Sequence, residues 1–464
     1  MDPVSLSSRV PDDRRSRAFQ TPANSIQLEF DRESSNVALE TILLHKNKIS
    51  SLAIHHGGVR IPSLDRLLAF SRPSVERLHV CSDTNAAWRA EDQTTHEIRQ
   101  GFPSLRELLV SRYSTPIDQL TTKNLVHLAL EQTEHHRALT VQSTLDILRG
   151  CPLLETLLII RSSIHQKPTR DHSPVSLPHL RSIELGLHEV HSGLVTHLLL
   201  PPNVATGFRM LSSTDMSGDI PLEFVTAAQH TLRRVDIRCI TLAVALHSQR
   251  STELLVCFEG LRGSLEMTIS GVRTHAELWD VLFGPGGVLF SHSPRIENVR
   301  ELHIVGCFFE DGRGMGHINA AMPNLISISF FHCGGPHVFG LLTPTNPLSP
   351  PFPYLEWVMV LGPESELRGM AKRRRDHGVP LKTLAVGQLP RGFECDLEDS
   401  AELEEFEYDH LEDYTTLEEF VGDLRIGCPT DILQWGTRNE ILSVWSTVGI
   451  PGSVSPNWKL MLLG

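Results

Sequence analysis

The chain has 464 residues, 40% hydrophobic and 21% charged, which is the composition of a folded protein and long enough for several domains or one repeat array. No window approaches the roughly 18 unbroken apolar residues of a membrane span, so a membrane partner is not expected. The net charge is −13, yet thirteen acidic and no basic residues lie between Glu394 and Glu419, leaving 42 acidic against 42 basic elsewhere. A neutral body with an acidic segment excludes nucleic acid as the main partner, because phosphate binding needs a positive surface.

Residues 1–24 are polar and rich in Ser and Arg, with Asp12-Asp13-Arg14-Arg15 near the middle. They lack an apolar h-region, so the expectation is a disordered tail, no secretory signal and a reducing, cytoplasmic compartment. The eight cysteines show no C-x-x-C pair and are read as buried thiols rather than disulfides or metal ligands.

From residue 25 to 390 one pattern recurs: apolar-x-x-apolar-x-apolar. Ile49/Leu52/Ile54 opens it, followed by Val75/Leu78/Val80, Leu105/Leu108/Val110, Leu125/Leu128/Leu130, Leu154/Leu157/Ile159 and Leu180/Ile183/Leu185. It resumes at Leu232/Val235/Ile237, Val299/Leu302/Ile304, Leu325/Ile328/Phe330, Leu355/Val358/Val360 and Leu381/Leu384/Val386, and reaches Leu403/Phe406/Tyr408 within an acidic C-terminal repeat and cap, residues 391–464. Steps between neighbours are mostly 20 to 30 residues. Phe208/Leu211 and Leu265-Glu266-Met267-Thr268-Ile269 are weak copies in the two longer gaps. Several copies follow a proline, as in Phe102-Pro103-Ser104-Leu105, Cys151-Pro152, Leu177-Pro178, Met322-Pro323 and Phe352-Pro353, where proline ends one segment and lets a strand begin.

The x-apolar-x-apolar tail of each copy is a period-2 strand. Helical patterns lie between: Ser63 before Leu64, Ser143 or Thr144 before Leu145, Thr274 before Ala276, Glu364 to Asp376, and Thr416 before Leu417, Phe420, Val421 and Leu424. Strand, turn and helix at a period near ~26 residues predict an α/β solenoid whose repeats bury their apolar edges only by stacking.

The period, the L-x-x-L-x-L core, the Cys151-Pro152 lead-in, and Cys307 and Cys333 at the Cys/Asn position resemble the irregular leucine-rich repeats of F-box proteins. The likeness is to the large F-box/leucine-rich-repeat families of basidiomycete fungi. It covers residues from about 26 onward. An F-box, usually opened by Leu-Pro-x-Glu, is not found ahead of the repeats. The resemblance implies a horseshoe with parallel strands on the concave face and helices outside. It also implies a substrate-receptor role that presents a client protein to ubiquitin-ligase machinery.

Motifs that could carry chemistry are few, and no catalytic, cofactor or metal residue is expected. Gly312-Arg313-Gly314-Met315-Gly316 sits between a strand and a helix, as a dinucleotide loop does, but its spacing is not G-x-G-x-x-G. An enzyme with a nucleotide-type site there is the alternative reading. His188-Glu189-Val190-His191 with His197 misses the H-E-x-x-H spacing that sets two imidazoles on one helical face. The pairs His55-His56 and His135-His136 read as surface residues. Lys372-Arg373-Arg374-Arg375 reads as a solvated helix end favoured by the helix dipole, with nuclear import as the second option.

The concave face should carry the residues between and after the strand's apolar pair. That places Leu158, Ile160, His303, Ser329 and Met359 there, with Arg234, Arg238, Glu301 and Trp357 as the protein-binding candidates, since Arg and Trp most often anchor interfaces.

Overall fold

The structure, a computed structural model, describes residues 25–30, 49–56, 74–82, 102–111, 123–131, 139–160, 164–165, 173–186, 192–210, 222–248, 251–261, 263–272, 282, 296–305, 313–331, 337–346, 350–360, 364–387 and 414–427. It is mixed α/β, and most of its strand pairings are parallel. The chain divides into two compact units. The first is Met1–Asp215, Ile220–Val235 and Arg262–Thr268; the second is Met216–Asp219, Asp236–Leu261 and Ile269–Gly464.

The first unit holds β1 (Ser25–Phe30), β2 (Ser51–His56), β3 (Arg77–Ser82), β4 (Glu107–Ser111) and β5 (His127–Glu131). Short β6 (Leu139–Thr140) leads into α1 (Val141–Arg149), then β7 (Thr156–Ile160), β8 (Ile164–His165), β9 (Val175–Ser176) and β10 (Ser182–Gly186). After these come α2 (Ser192–Thr196), β11 (Leu198–Leu199), β12 (Ala205–Met210) and α3 (Leu222–Leu232). The strands β1, β2, β3, β4, β5, β7, β10 and β12 lie side by side in chain order, every neighbouring pair parallel.

Their register sets equivalent residues in rows. Leu52, Leu78, Leu108, Leu128, Leu157 and Ile183 form one row; Ile54, Val80, Val110, Leu130, Ile159, Leu185 and Phe208 form the next. None of these is more than 1% exposed, so each contributes roughly 1.5–3 kcal/mol of burial. The weak copy at Phe208 thus occupies a true core position, and its ring meets Phe224 of α3 edge-on at 6.5 Å.

The second unit begins with β13 (Ile237–Ser248), β14 (Ser251–Gly260) and β15 (Ser264–Val272), the last shared between the units. Then follow β16 (Glu301–Val305), α4 (Arg313–Ala321), β17 (Ser327–Phe331), α5 (His337–Leu342), β18 (Trp357–Val360), α6 (Glu364–Asp376), β19 (Thr383–Gly387) and β20 (Asp423–Gly427). Strands β13, β16, β17, β18, β19 and β20 are parallel neighbours in that order. Core rows run Ile240–Leu302–Ile328–Val358–Leu384, ending on half-buried Leu424, and Leu242–Ile304–Phe330.

The proline lead-ins have one geometry. The N–H of Leu105, Leu154, Leu180, Leu325 and Leu355 donates to the carbonyl of Phe102, Cys151, Leu177, Met322 and Phe352, three residues back. Proline therefore stands at the second position of a tight turn, which its fixed φ favours. The residue opening the turn is buried each time.

Four expectations are corrected. The copy Leu232/Val235/Ile237 is set five residues early: Ile237, Ile240 and Leu242 carry the pattern, since Ile240 pairs with Leu302 and Leu242 with Ile304. Parallel stacking also breaks at β14, which pairs antiparallel with β13 over Ile237 to Ser248. Two residues link these strands, and a parallel connection needs about a dozen or more, so only a hairpin closes. Third, the strand beside β19 is β20, with Leu384 opposite Leu424, and the expected helix there is a 3-10 turn at Tyr414–Leu417. Gly422 is required just before β20, because a Cβ would come within 2.8 Å of the Lys382 carbonyl. Leu403/Phe406/Tyr408 lies outside the described residues. Fourth, α1 is capped by Thr140, whose hydroxyl accepts from the Ser143 N–H while the Ser143 hydroxyl accepts from the Thr140 N–H. Ser143 is the reciprocal partner rather than the cap.

Helix α6 runs from Glu364 to Asp376 as its pattern predicts. Its basic end is only partly solvated. Arg374 is 0% exposed and donates to the carbonyls of Leu342, Pro351 and Phe352 at 3.0, 3.1 and 3.0 Å. Burial draws its pKa down to about 10, and it remains charged. Arg375 lies 4.7 Å from the Phe420 ring centre and donates to the Glu419 carbonyl. Among the described residues no helix is long and apolar enough to cross a membrane.

Candidate functional site

Opposite the core rows, each unit presents side chains from the alternate strand positions. In the first unit the strand-start row runs Ser51, Arg77, Glu107, His127, Thr156, Ser182, and the next row Ala53, His79, Leu109, Ala129, Leu158 and buried Glu184. Glu107 is the polar centre: His79 Nε2 is 3.0 Å from its carboxylate and Arg77 3.7 Å. The His79 hydrogen bond holds the Glu107 carboxyl below the usual carboxylate range; burial opposes this, and the charges of His79, Arg77 and His127 reinforce it. His127 Nδ1 bridges to Thr156 Oγ1 at 3.1 Å.

In the second unit the strand-start row is Cys239, Glu301, Ser327, Trp357, Thr383 and Asp423. Glu301 and Asp423 are exposed, while Ser327, Trp357 and Thr383 are half-buried. The next row is closed: Thr241, His303, Ser329, Met359 and Ala385 are each 5% exposed or less. His303, Ser329 and Met359 are therefore interior residues, against the expectation of an open face. Ile160 is buried as well, and Leu158 half-buried.

The four binding candidates separate. Glu301 and Trp357 share the strand-start row with Ser327 between them. Arg234 lies ahead of β13 in the turn after α3, where its guanidinium donates to the Leu200 carbonyl and burial lowers its pKa. Its expected place on the sheet came from the misplaced copy. Arg238 is exposed at the start of β13, 3.4 Å from Asp236, at an irregularity in the register between Ile237 and Cys239.

One constellation was not legible in the sequence. Cys239 Sγ, a Glu301 carboxylate oxygen and a His303 ring nitrogen lie within 4.8 Å of one another, a grouping able to hold a metal ion. Their separation along the chain hides them; the β13–β16 register joins them. Burial lowers the His303 pKa to about 4, so the ring is neutral near pH 7. The described cysteines 81, 151, 239 and 257 are not joined in disulfides, and burial pushes Cys151 up to about 12, an inert core thiol.

Of the glycine-rich stretch, Arg313 to Gly316 forms the first turn of α4, and a Cβ on Gly316 would meet nothing within 4 Å. Gly312, His188 to His191, His135-His136, Ser63 and Thr274 lie outside the described residues. No protein-family model matches the chain, and no curated protein matches it.

Proposed function

We propose that the chain is a leucine-rich-repeat-type solenoid acting as a protein-interaction scaffold, similar to the substrate-receptor part of an F-box ubiquitin-ligase subunit. It binds a client protein and performs no chemistry of its own on that client. The observation that supports this reading is the strand-start row of the second unit, where exposed Glu301 on β16 and half-buried Trp357 on β18 flank Ser327 of β17 in one hydrogen-bonded register. Hydrogen-bonded strands fix the backbone that carries both side chains, so little backbone freedom is lost on docking. An aromatic anchor beside a charge is the pattern of an interface hot spot.

The expected client is a folded or extended protein segment with an apolar anchor for Trp357 and a basic group for Glu301. A capture experiment with the full chain and with Trp357→Ala and Glu301→Lys variants tests this. If both are hot spots, each weakens client binding by about 2 kcal/mol, roughly thirtyfold. Client recovery unchanged in both variants sinks the assignment of this row.

A further inference from the structure

Three donor atoms of three chemical kinds converge on one face of adjacent parallel strands. Cys239 is directly opposite Glu301, and Thr241 opposite His303, so the three side chains project together. Their donor atoms lie within 4.8 Å of one another. His303 is 2% exposed, and its Nδ1 is 2.9 Å from the Ser329 hydroxyl. Its Nε2 meets no hydrogen-bond partner among the described residues. Buried polar atoms are rarely left that way, and a His303 ring nitrogen is one of the three clustered donor atoms, which gives the ring an evident use. Metal-binding histidines are held by a hydrogen bond at the other ring nitrogen, which Ser329 supplies here.

We propose that Cys239, Glu301 and His303 bind a divalent transition-metal ion of the zinc class. The ligands are the Cys239 thiolate, a Glu301 carboxylate oxygen and His303 Nε2. The fourth position opens beside Glu301, the exposed member. This site goes beyond the scaffold reading and does not depend on a client. A mixed sulfur, nitrogen and oxygen set suits zinc and cobalt, whereas calcium and magnesium require oxygen ligands. Tetrahedral bonds of about 2.0 to 2.3 Å set ligand atoms roughly 3.3 to 3.8 Å apart. Rotation of the exposed Glu301 side chain adjusts the distance of its carboxylate oxygen from the other two donor atoms. The thiol proton of Cys239 passes to solvent as the sulfur–metal bond forms, so uptake releases one proton into the medium.

The test uses the full chain, stripped with chelator and titrated with Co2+ as a spectroscopic probe. One equivalent should produce a thiolate-to-cobalt charge-transfer band with tetrahedral visible bands, and Zn2+ should bleach both. Cys239→Ser should abolish the charge-transfer band. Glu301→Gln, at an exposed position where folding is not at stake, should keep the band and weaken binding at least tenfold. Ser329→Ala should weaken it about 10-fold through the orientation of His303. Absence of a stoichiometric cobalt spectrum, its survival in Cys239→Ser, or unchanged affinity in Glu301→Gln would each overturn the proposal.

Discussion

The two units build the same inner wall and different outer ones. In the first, the second outer row of Ala53, His79, Leu109, Ala129 and Leu158 is half-buried and closes only at the next member, Glu184, 5% exposed. In the second, the equivalent row of His303, Ser329, Met359 and Ala385 is at most 2% exposed. The repeating apolar spacing governs only the core face, because every strand must bury that face whatever lies opposite. Closure of the outer face depends on larger and more polar side chains that no period selects. The lesson is that an equivalent repeat position is not an equivalent environment.

The sharpest way to break this comparison is to place a carboxylate at each position. Leu157→Asp and Leu302→Asp, both core, should each cost about 3–5 kcal/mol, since a buried unpaired charge is among the most destabilising changes. If the second unit's outer face is closed, Met359→Asp should cost nearly as much. Leu158→Asp, at the matching place in the first unit, should cost only about 1 kcal/mol. Urea unfolding of the four variants measures this. Equal shifts for Met359→Asp and Leu158→Asp would erase the distinction between the two faces.

A second, smaller effect concerns the closed interior near α6. Arg374→Leu removes three hydrogen bonds from buried carbonyls but also removes a buried charge. Orphaned carbonyls cost about 1–3 kcal/mol each, partly offset by the relief of desolvating the guanidinium, so a net loss of roughly 3 kcal/mol is expected. Thermal melting checks it, and a variant as stable as the parent would show that the anchor is dispensable.

The smallest effect belongs to the open face. The depressed Glu107 carboxyl contributes stability that is fully present above the unfolded carboxylate pKa and is lost as pH falls through its lower folded value. Glu107→Gln should therefore cost under about 1 kcal/mol at neutral pH. Below the folded pKa that difference should vanish. A cost that grows on acidification would reverse the sign and remove Glu107 as the centre of that cluster.

Much of the inner wall was legible from the sequence. Every apolar residue of the ten copies from Val75 to Val386 is buried, including those of the misplaced copy. That copy failed because Ile237 satisfies two overlapping patterns, as the last residue of one and the first of the other. Burial alone could not choose between them; the pairing with β16 did. The hairpin was illegible for a related reason. Leu254 to Phe258 is buried on both faces and so shows no alternation. Of the binding candidates, Glu301 and Trp357 follow from a correct register, whereas Arg234 inherits the error. The Cys239–Glu301–His303 cluster has no sequence signal at all, since metal spacing rules describe ligands on one element or one loop.

The constancy of register has a consequence for how such a chain can change over generations. The step from Arg77 to Glu107 is 30 residues and the step from Glu107 to His127 is 20, yet the three residues are direct neighbours across β3, β4 and β5. Connections between strands thus absorb large differences in length, and doubling a loop costs only about 0.6 kcal/mol in closure entropy. A single residue inserted inside a strand instead turns every following side chain to the opposite face. Insertions and deletions are therefore filtered by location: tolerated in the connections, where the outer surface can diversify, and eliminated within the five-residue windows that carry the rows.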